Sequence, residues 1–170
     1  MYTKWNLTKT KIINLEGMYD SSFYCTPILG EKNMVTDEYV HNFMAIGNSL
    51  IGKEYALEFP FKLDSSLFEE TVNTEQKAAI GSNRITFNGS PKEQFFFSNL
   101  TGSASEKAVW TLLNSNTKIG IQETGNFKTD KVNLWGSGHV ISPELFFKIS
   151  IKPGASSEWS RAYEVFNINS

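Results

Sequence analysis

One run of nine residues limits what this chain can fold into. In Tyr55-Ala-Leu-Glu-Phe-Pro-Phe-Lys-Leu63, the side chains of Tyr55, Leu57, Phe59, Phe61 and Leu63 fall on one side of an extended backbone. Ala56, Glu58, Pro60 and Lys62 fall on the other. Strict alternation of this kind marks a half-buried strand, because a helix would scatter the same residues around its axis. Pro60 has no amide hydrogen to give to a ladder, so the run predicts an edge or a bulge at that point.

The same period of two returns elsewhere. Glu144-Leu-Phe-Phe-Lys-Ile-Ser-Ile151 sets Leu145, Phe147, Ile149 and Ile151 against Phe146, Lys148 and Ser150. Shorter strands are expected over 82–87, 95–100, 108–113, 117–121, 131–135 and 163–168. Turn clusters separate them: Asn88-Gly-Ser-Pro91, Thr101-Gly-Ser103, Thr124-Gly-Asn126, Gly136-Ser-Gly138 and Lys152-Pro-Gly154. Only Ser65–Ala79 leans helical, and its Thr and Asn content reduces the expectation there to a short helix or a loop. Residues 17–50 suit short strands joined by a long irregular connection. Many short strands at roughly ten-residue spacing predict an all-β fold, a single antiparallel β-sandwich or jelly roll over 1–170 with at most one short helix.

The charge balance excludes several functions. Sixteen basic and 18 acidic side chains leave a net charge of −2 in 170 residues, which provides no basic face for nucleic acid. No run approaches the roughly 20 apolar residues of a membrane helix. The opening residues lack a signal-peptide apolar core, so synthesis and assembly in a cytoplasm are expected. Cys25 is the single cysteine, which rules out an intrachain disulfide and a thiolate zinc site.

Catalytic constellations are sparse. Glu69 and Glu70 are adjacent and diverge in any regular structure, so they do not form the opposed pair of a glycoside hydrolase. His41 and His139 lie far apart, with no nucleophile motif beside either. No enzyme activity is therefore expected, and no cofactor. Asp64, Asp130 and Glu144 could join backbone carbonyls around a structural Ca²⁺, although isolated acidic residues at strand ends are usually solvated.

The aromatic residues, 14 % of the chain, are more informative. Sugar sites offer flat aromatic faces flanked by short polar side chains. Trp135 must point away from its neighbour Leu134, and Trp110 lies beside apolar residues of opposite parity, so one member of each pair is buried and the other faces outward. The bland arrangement buries both tryptophans. In Phe95-Phe96-Phe97 the middle ring must face away from its neighbours, which suits a second apolar layer under a loop. If a glycan is bound, Trp110 or Trp135 would stack on it, with Asn114, Gln122, Glu123 and Asn133 as hydrogen-bonding partners.

Three segments, in order, carry a resemblance. The last, Lys148-Ile-Ser-Ile-Lys-Pro-Gly154-Ala-Ser-Ser-Glu-Trp159-Ser-Arg-Ala162, resembles a closing motif of phage tail and baseplate proteins, in which a final strand enters a Gly turn followed by a Trp. The acidic residue usual in that turn is absent, and Ser replaces the common Thr. Trp5-Asn-Leu-Thr-Lys-Thr10 is similar to the opening of the same domains, and Tyr55–Lys62 to one of their strands. The resemblance spans 5–164 and implies a carbohydrate-binding-module-like jelly roll of a phage tail, baseplate, fibre or capsid-decoration protein. Within it, Gly154 permits the turn, Pro153 fixes the preceding φ, and Trp159 is expected to fold back and cap one end of the sandwich. Trp5 is expected to pack the first strand against a sheet edge.

Together these readings predict a virion protein, present in many copies or as a homo-oligomer, bound to other virion proteins and touching host surface polysaccharide. The alternative is a capsid or baseplate decoration protein with no sugar site, its aromatic residues serving core and protein interface.

Overall fold

Pro60 ends the ladder but not the alternation. In the computed structural model, which describes the backbone of Lys4–Ile13 and Tyr19–Leu29 and all atoms of 33–168, the strand that begins at Tyr55 pairs only as far as Glu58. Beyond it the chain bends at Pro60 and Phe61. Phe59 N–H donates to the Asn83 carbonyl at 2.9 Å and Leu63 N–H to that of Ser82 at 2.7 Å. Tyr55, Leu57, Phe59, Phe61 and Leu63 are all buried, so the side-chain parity read from sequence survives where sheet hydrogen bonding does not.

The strands are β1 Lys4–Ile13, β2 Tyr19–Leu29, β3 Met34–Glu38, β4 Tyr55–Glu58, β5 Glu70–Val72, β6 Ala78–Ile80, β7 Arg84–Phe87, β8 Phe95–Ser98, β9 Glu106–Asn114, β10 Ile119–Thr129, β11 Val132–Ser137, β12 Val140–Leu145, β13 Phe147–Ile151 and β14 Ser157–Asn167. They form an eight-stranded sheet in the order β1-β2-β14-β10-β9-β4-β7-β6, a four-stranded sheet β12-β11-β8-β5, and a ribbon β13-β3. Each pairing is antiparallel. The helical tendency of 65–79 reduces to one 3₁₀ turn, Ser65–Leu67, capped by Asp64, whose carboxylate accepts from Ser66 N–H at 3.0 Å. The protein is an all-β antiparallel sandwich.

The main core lies between the two larger sheets. Leu57, Ile85, Trp110 and Leu112 of the large sheet meet Phe95, Phe97, Leu134, Ile141 and Leu145 of the small one. Burying such side chains stabilises by about 1.5–3 kcal/mol each. A second core of Ile149, Ile151 and Trp159 lies under the ribbon.

The run 144–151, expected as one strand, is two. β12 ends at Leu145, Phe146 N–H donates to the Lys131 carbonyl at 3.1 Å, and β13 then joins the ribbon. Alternation could not show this, because Leu145, Ile149 and Ile151 are all buried, but in different cores. Trp159 is buried near the start of β14, its ring stacked on Phe147 at 4.6 Å and its Nε1–H donated to Glu38 at 2.9 Å. It lies beneath the ribbon, with Ile149 and Ile151. Gly154, at φ +77°, makes the turn expected of it. The side chains of Trp5 and Cys25 lie outside the described residues.

Candidate functional site

The outer face of the small sheet is built by alternation. Val132 and Leu134 of β11 enter the core, which turns Asn133 and Trp135 outward. Their cross-strand partners on β12 are Glu144 and Ser142, and Trp135 also pairs with Phe96 of β8. Phe96 in turn pairs with Val72, and Ser98 with Glu70. One row across the sheet therefore reads Ser142, Trp135, Phe96, Val72. The next reads Glu144, Asn133, Ser98, Glu70. The unequal Phe95–Phe97 triplet has this explanation: Phe95 and Phe97 are core, and Phe96 is half-buried beside Trp135.

Residues 39–44 run antiparallel along the free edge of β12. Met44 and Ile141 exchange backbone hydrogen bonds of 2.6 and 2.9 Å. Alternation holds here too: Tyr39, His41 and Phe43 are exposed, and Val40 and Asn42 turn in. Tyr39 stacks on Phe146 at 4.5 Å. His41 stacks on Phe43 at 4.1 Å, and Trp135 meets the two rings edge-on at 5.3 and 5.8 Å. Phe43 has φ +49° and is 57 % exposed. Holding a bulky L-residue in the left-handed region costs roughly 1–2 kcal/mol, and core packing does not offset it here. Such strain concentrates at functional sites.

Asn42 fixes this segment. Its backbone N–H donates to Ser142 Oγ at 2.8 Å. Its Nδ2 donates to Glu123 Oε2 at 2.9 Å and to the Pro143 carbonyl at 2.7 Å, while its Oδ1 accepts from the Tyr163 hydroxyl at 2.8 Å.

Behind the rings lies Glu144. Its Oε1 is 3.3 Å from His41 Nε2. Burial pushes its carboxyl up to about 7, against hydrogen bonds from Asn133 and Ser142 that hold it down. Burial pushes His41 the other way, below 6.5. Both shifts favour the uncharged forms, so near neutrality this is a carboxyl–imidazole pair able to give or take a proton. Asn133 is held by Ser98 Oγ and by Asn99 N–H, which donate to its Oδ1 at 3.2 and 3.1 Å.

A different carboxylate lies on the inner face of the large sheet. Glu123 of β10 is fully buried. Its Oε1 accepts from Arg161 at 2.7 Å, and its Oε2 accepts from Trp110 Nε1–H at 2.7 Å as well as from Asn42. Arg161 also reaches Glu38 and the Leu145 carbonyl, both at 2.8 Å. Burial pushes the Glu123 carboxyl up, and Arg161, Trp110 and Asn42 oppose the shift. Every contact comes from a donor and one donor is a guanidinium, so the arrangement suits the ionised form.

The residues named from sequence thus divide. Trp135 and Asn133 stand together on the outer face. Trp110 and Glu123 are buried in the core and present nothing to a ligand. Asn114 is buried at a turn, where its Oδ1 accepts from Asn116 and Thr117 N–H at 3.0 and 3.1 Å. Gln122 lies on the opposite face of β10 from Glu123 and donates to Thr111 at 2.9 Å. A sheet strand hides alternate residues, so four of the six fall away from the outer face. Asp64, Asp130 and Glu144 are not brought together, and among the described residues no three His, Cys, Asp or Glu gather to hold a metal. Sequence alone does not group His41, Phe43 and Glu144. The alternation Tyr39-Val-His41-Asn-Phe43 could have revealed the segment, but no spacing in the sequence joins it to Glu144, about a hundred residues on.

No protein-family model matches the chain, and no curated protein matches it in sequence. Solved structures do match its fold. The Slr1438 protein of Synechocystis sp. PCC 6803 superposes with a TM-score of 0.65 at 10 % identity, over 97 % of this chain and 56 % of its own. A candidate aldose 1-epimerase from Escherichia coli K12 gives 0.62 at 8 % identity, over 98 % of this chain and 62 % of its own. This chain therefore spans less than two thirds of either protein's length. At such identities the shared property is the fold, and it is a fold that a candidate enzyme also uses.

Proposed function

We propose that the outer face of the small sheet binds carbohydrate, with Trp135 and Phe43 as stacking surfaces and Asn133, His41 and Glu144 as hydrogen-bonding groups. The observation that carries this reading is Phe43, strained and solvent-exposed, grouped with His41 and Trp135 above a polar floor. Aromatic faces bordered by a few convergent polar groups suit a sugar, which has an apolar ring face and a hydroxyl rim. The sugar-related description of one fold neighbour is consistent with it. The test is titration of tryptophan fluorescence with a sugar panel. Wild type should respond, and a folded Trp135→Ala variant should neither respond nor bind. Binding retained in Trp135→Ala would remove the reading.

A second reading is favoured by the Glu144–His41 pair: proton transfer on the bound sugar, with the neutral His41 imidazole taking a hydroxyl proton and the protonated Glu144 carboxyl supplying one to a ring or hydroxyl oxygen. Anomeric exchange followed by NMR would show it as a catalysed rate lost in Glu144→Gln. An unchanged rate in that variant would leave a binding site alone. The virion setting implied by the closing motif is a further proposal, as is the alternative of a decoration protein without a sugar site. Its support is the 148–162 resemblance, and co-purification with assembled particles tests it.

A further inference from the structure

Resting on the outer-face reading above, the geometry points to a ligand that is a neutral oligosaccharide lying along β11, not a free monosaccharide. The face has a second aromatic end. Continuing from Trp135 through Asn133, the outward position is Lys131, beside Phe146, whose amide hydrogen bond to the Lys131 carbonyl carries the row on. Tyr39 covers Phe146 at 4.5 Å, and Lys131 Nζ lies 5.1 Å from the Phe146 ring centre. With Phe146 so flanked, Tyr39 is the ring offered to solvent, 47 % exposed.

Four residues of strand rise, about 13 Å, separate the Trp135 end from the Lys131 end. Phe43 and Tyr39 are spaced by the same number of residues on the adjoining segment. That distance exceeds one pyranose ring and suits a short run of linked rings, with Glu144, His41 and Asn133 between the two ends. The Tyr39 end opens into a cleft of about 370 Å³, lined in part by Asp37, Glu69, Asn99, Asp130, Lys131 and Lys148. These groups offer acceptors and donors to hydroxyls. With three carboxylates against two ammonium groups, the cleft disfavours a polyanionic chain.

Neutral glucan, mannan and galactan ladders, each from monosaccharide to hexasaccharide, and one uronic-acid ladder would be titrated against the full chain by calorimetry. A neutral ladder should gain about tenfold in affinity between one and three or four residues. Tyr39→Ala and, separately, Phe146→Ala should return the longer sugars to monosaccharide affinity. Tyr39 is half-exposed, so its variant keeps the test open if Phe146→Ala does not fold. Equal affinity at all lengths, or a gain confined to the uronic-acid ladder, overturns this inference and leaves the outer-face reading standing. Failure of every ladder and monosaccharide to bind overturns both.

Discussion

Glu123 and Glu144 are both carboxyls on sheet strands and both are buried, yet they are answered differently. Glu123 meets a guanidinium, an indole N–H and an amide, with a second carboxylate, Glu38, on the far side of the same guanidinium. Glu144 meets neutral donors and an imidazole. Among the described residues no Lys or Arg forms an ion pair with it. Burial alone therefore does not make a carboxyl chemically active. A charge matched in place becomes structure, whereas a charge left to neutral partners shifts its titration toward neutrality and retains a mobile proton.

Breaking the matched pair should have the largest effect. Arg161→Leu leaves Glu123 buried without its cation, and the expected loss is about 3–5 kcal/mol in urea unfolding at neutral pH. Retention of near-wild-type stability would mean that Glu123 takes up a proton at little cost, and the contrast with Glu144 would collapse.

Glu144→Gln sharpens the comparison from the other side. With its pKa at about 7 in the fold against an ordinary 4.5, native Glu144 keeps a proton that the unfolded chain releases. Stability should then fall as pH rises from about 4.5 to about 7, by on the order of 3 kcal/mol. The glutamine variant should flatten that slope. His41, pushed below 6.5, gives the opposite slope, with stability lost as pH falls below that value. Repeating the series in His41→Asn separates the two.

Asn42 joins the two regions, since it bonds both Glu123 and Ser142. Asn42→Ala should cost about 1–2 kcal/mol from unpaired buried groups and weaken sugar binding although the side chain touches no ligand. The NMR titration of His41 should move toward its ordinary value, which a merely loosened core would not produce. The smallest effect is expected of Phe43→Gly. Glycine accepts φ +49° freely, so stability should hold or rise by up to about 1 kcal/mol while binding is lost.

Much of the fold was legible because period two reports parity directly. It set Leu134 and Trp135 on opposite faces without saying which was inside, and it put Tyr55, Leu57, Phe59, Phe61 and Leu63 on one face, a parity kept past the end of their ladder. It does not report which sheet a strand joins, so the break at Phe146 and the ribbon were hidden. Nor could it tell that Trp110 was the buried member of its pair. The polar partners failed for the same reason: Asn114, Gln122 and Glu123 adjoin aromatic strands in sequence but face the core, a turn or the far side of the sheet. The outer-face pair of His41 and Glu144 needed the antiparallel docking of 39–44 on β12, a long-range contact with no local signature.

That docking has a consequence for the solution behaviour of the molecule. An uncovered strand end-row invites pairing with another chain, and proteins guard such rows. Here β12 is guarded by residues 39–44, helped by Pro143, which has no amide hydrogen to offer, while the opposite margin is the three-residue β5. The segment that presents the rings therefore also protects against aggregation. Unlatching it at Asn42 would expose a pairing-competent margin, so Asn42→Ala should weaken sugar binding and also precipitate, whereas Phe43→Gly should lose binding alone.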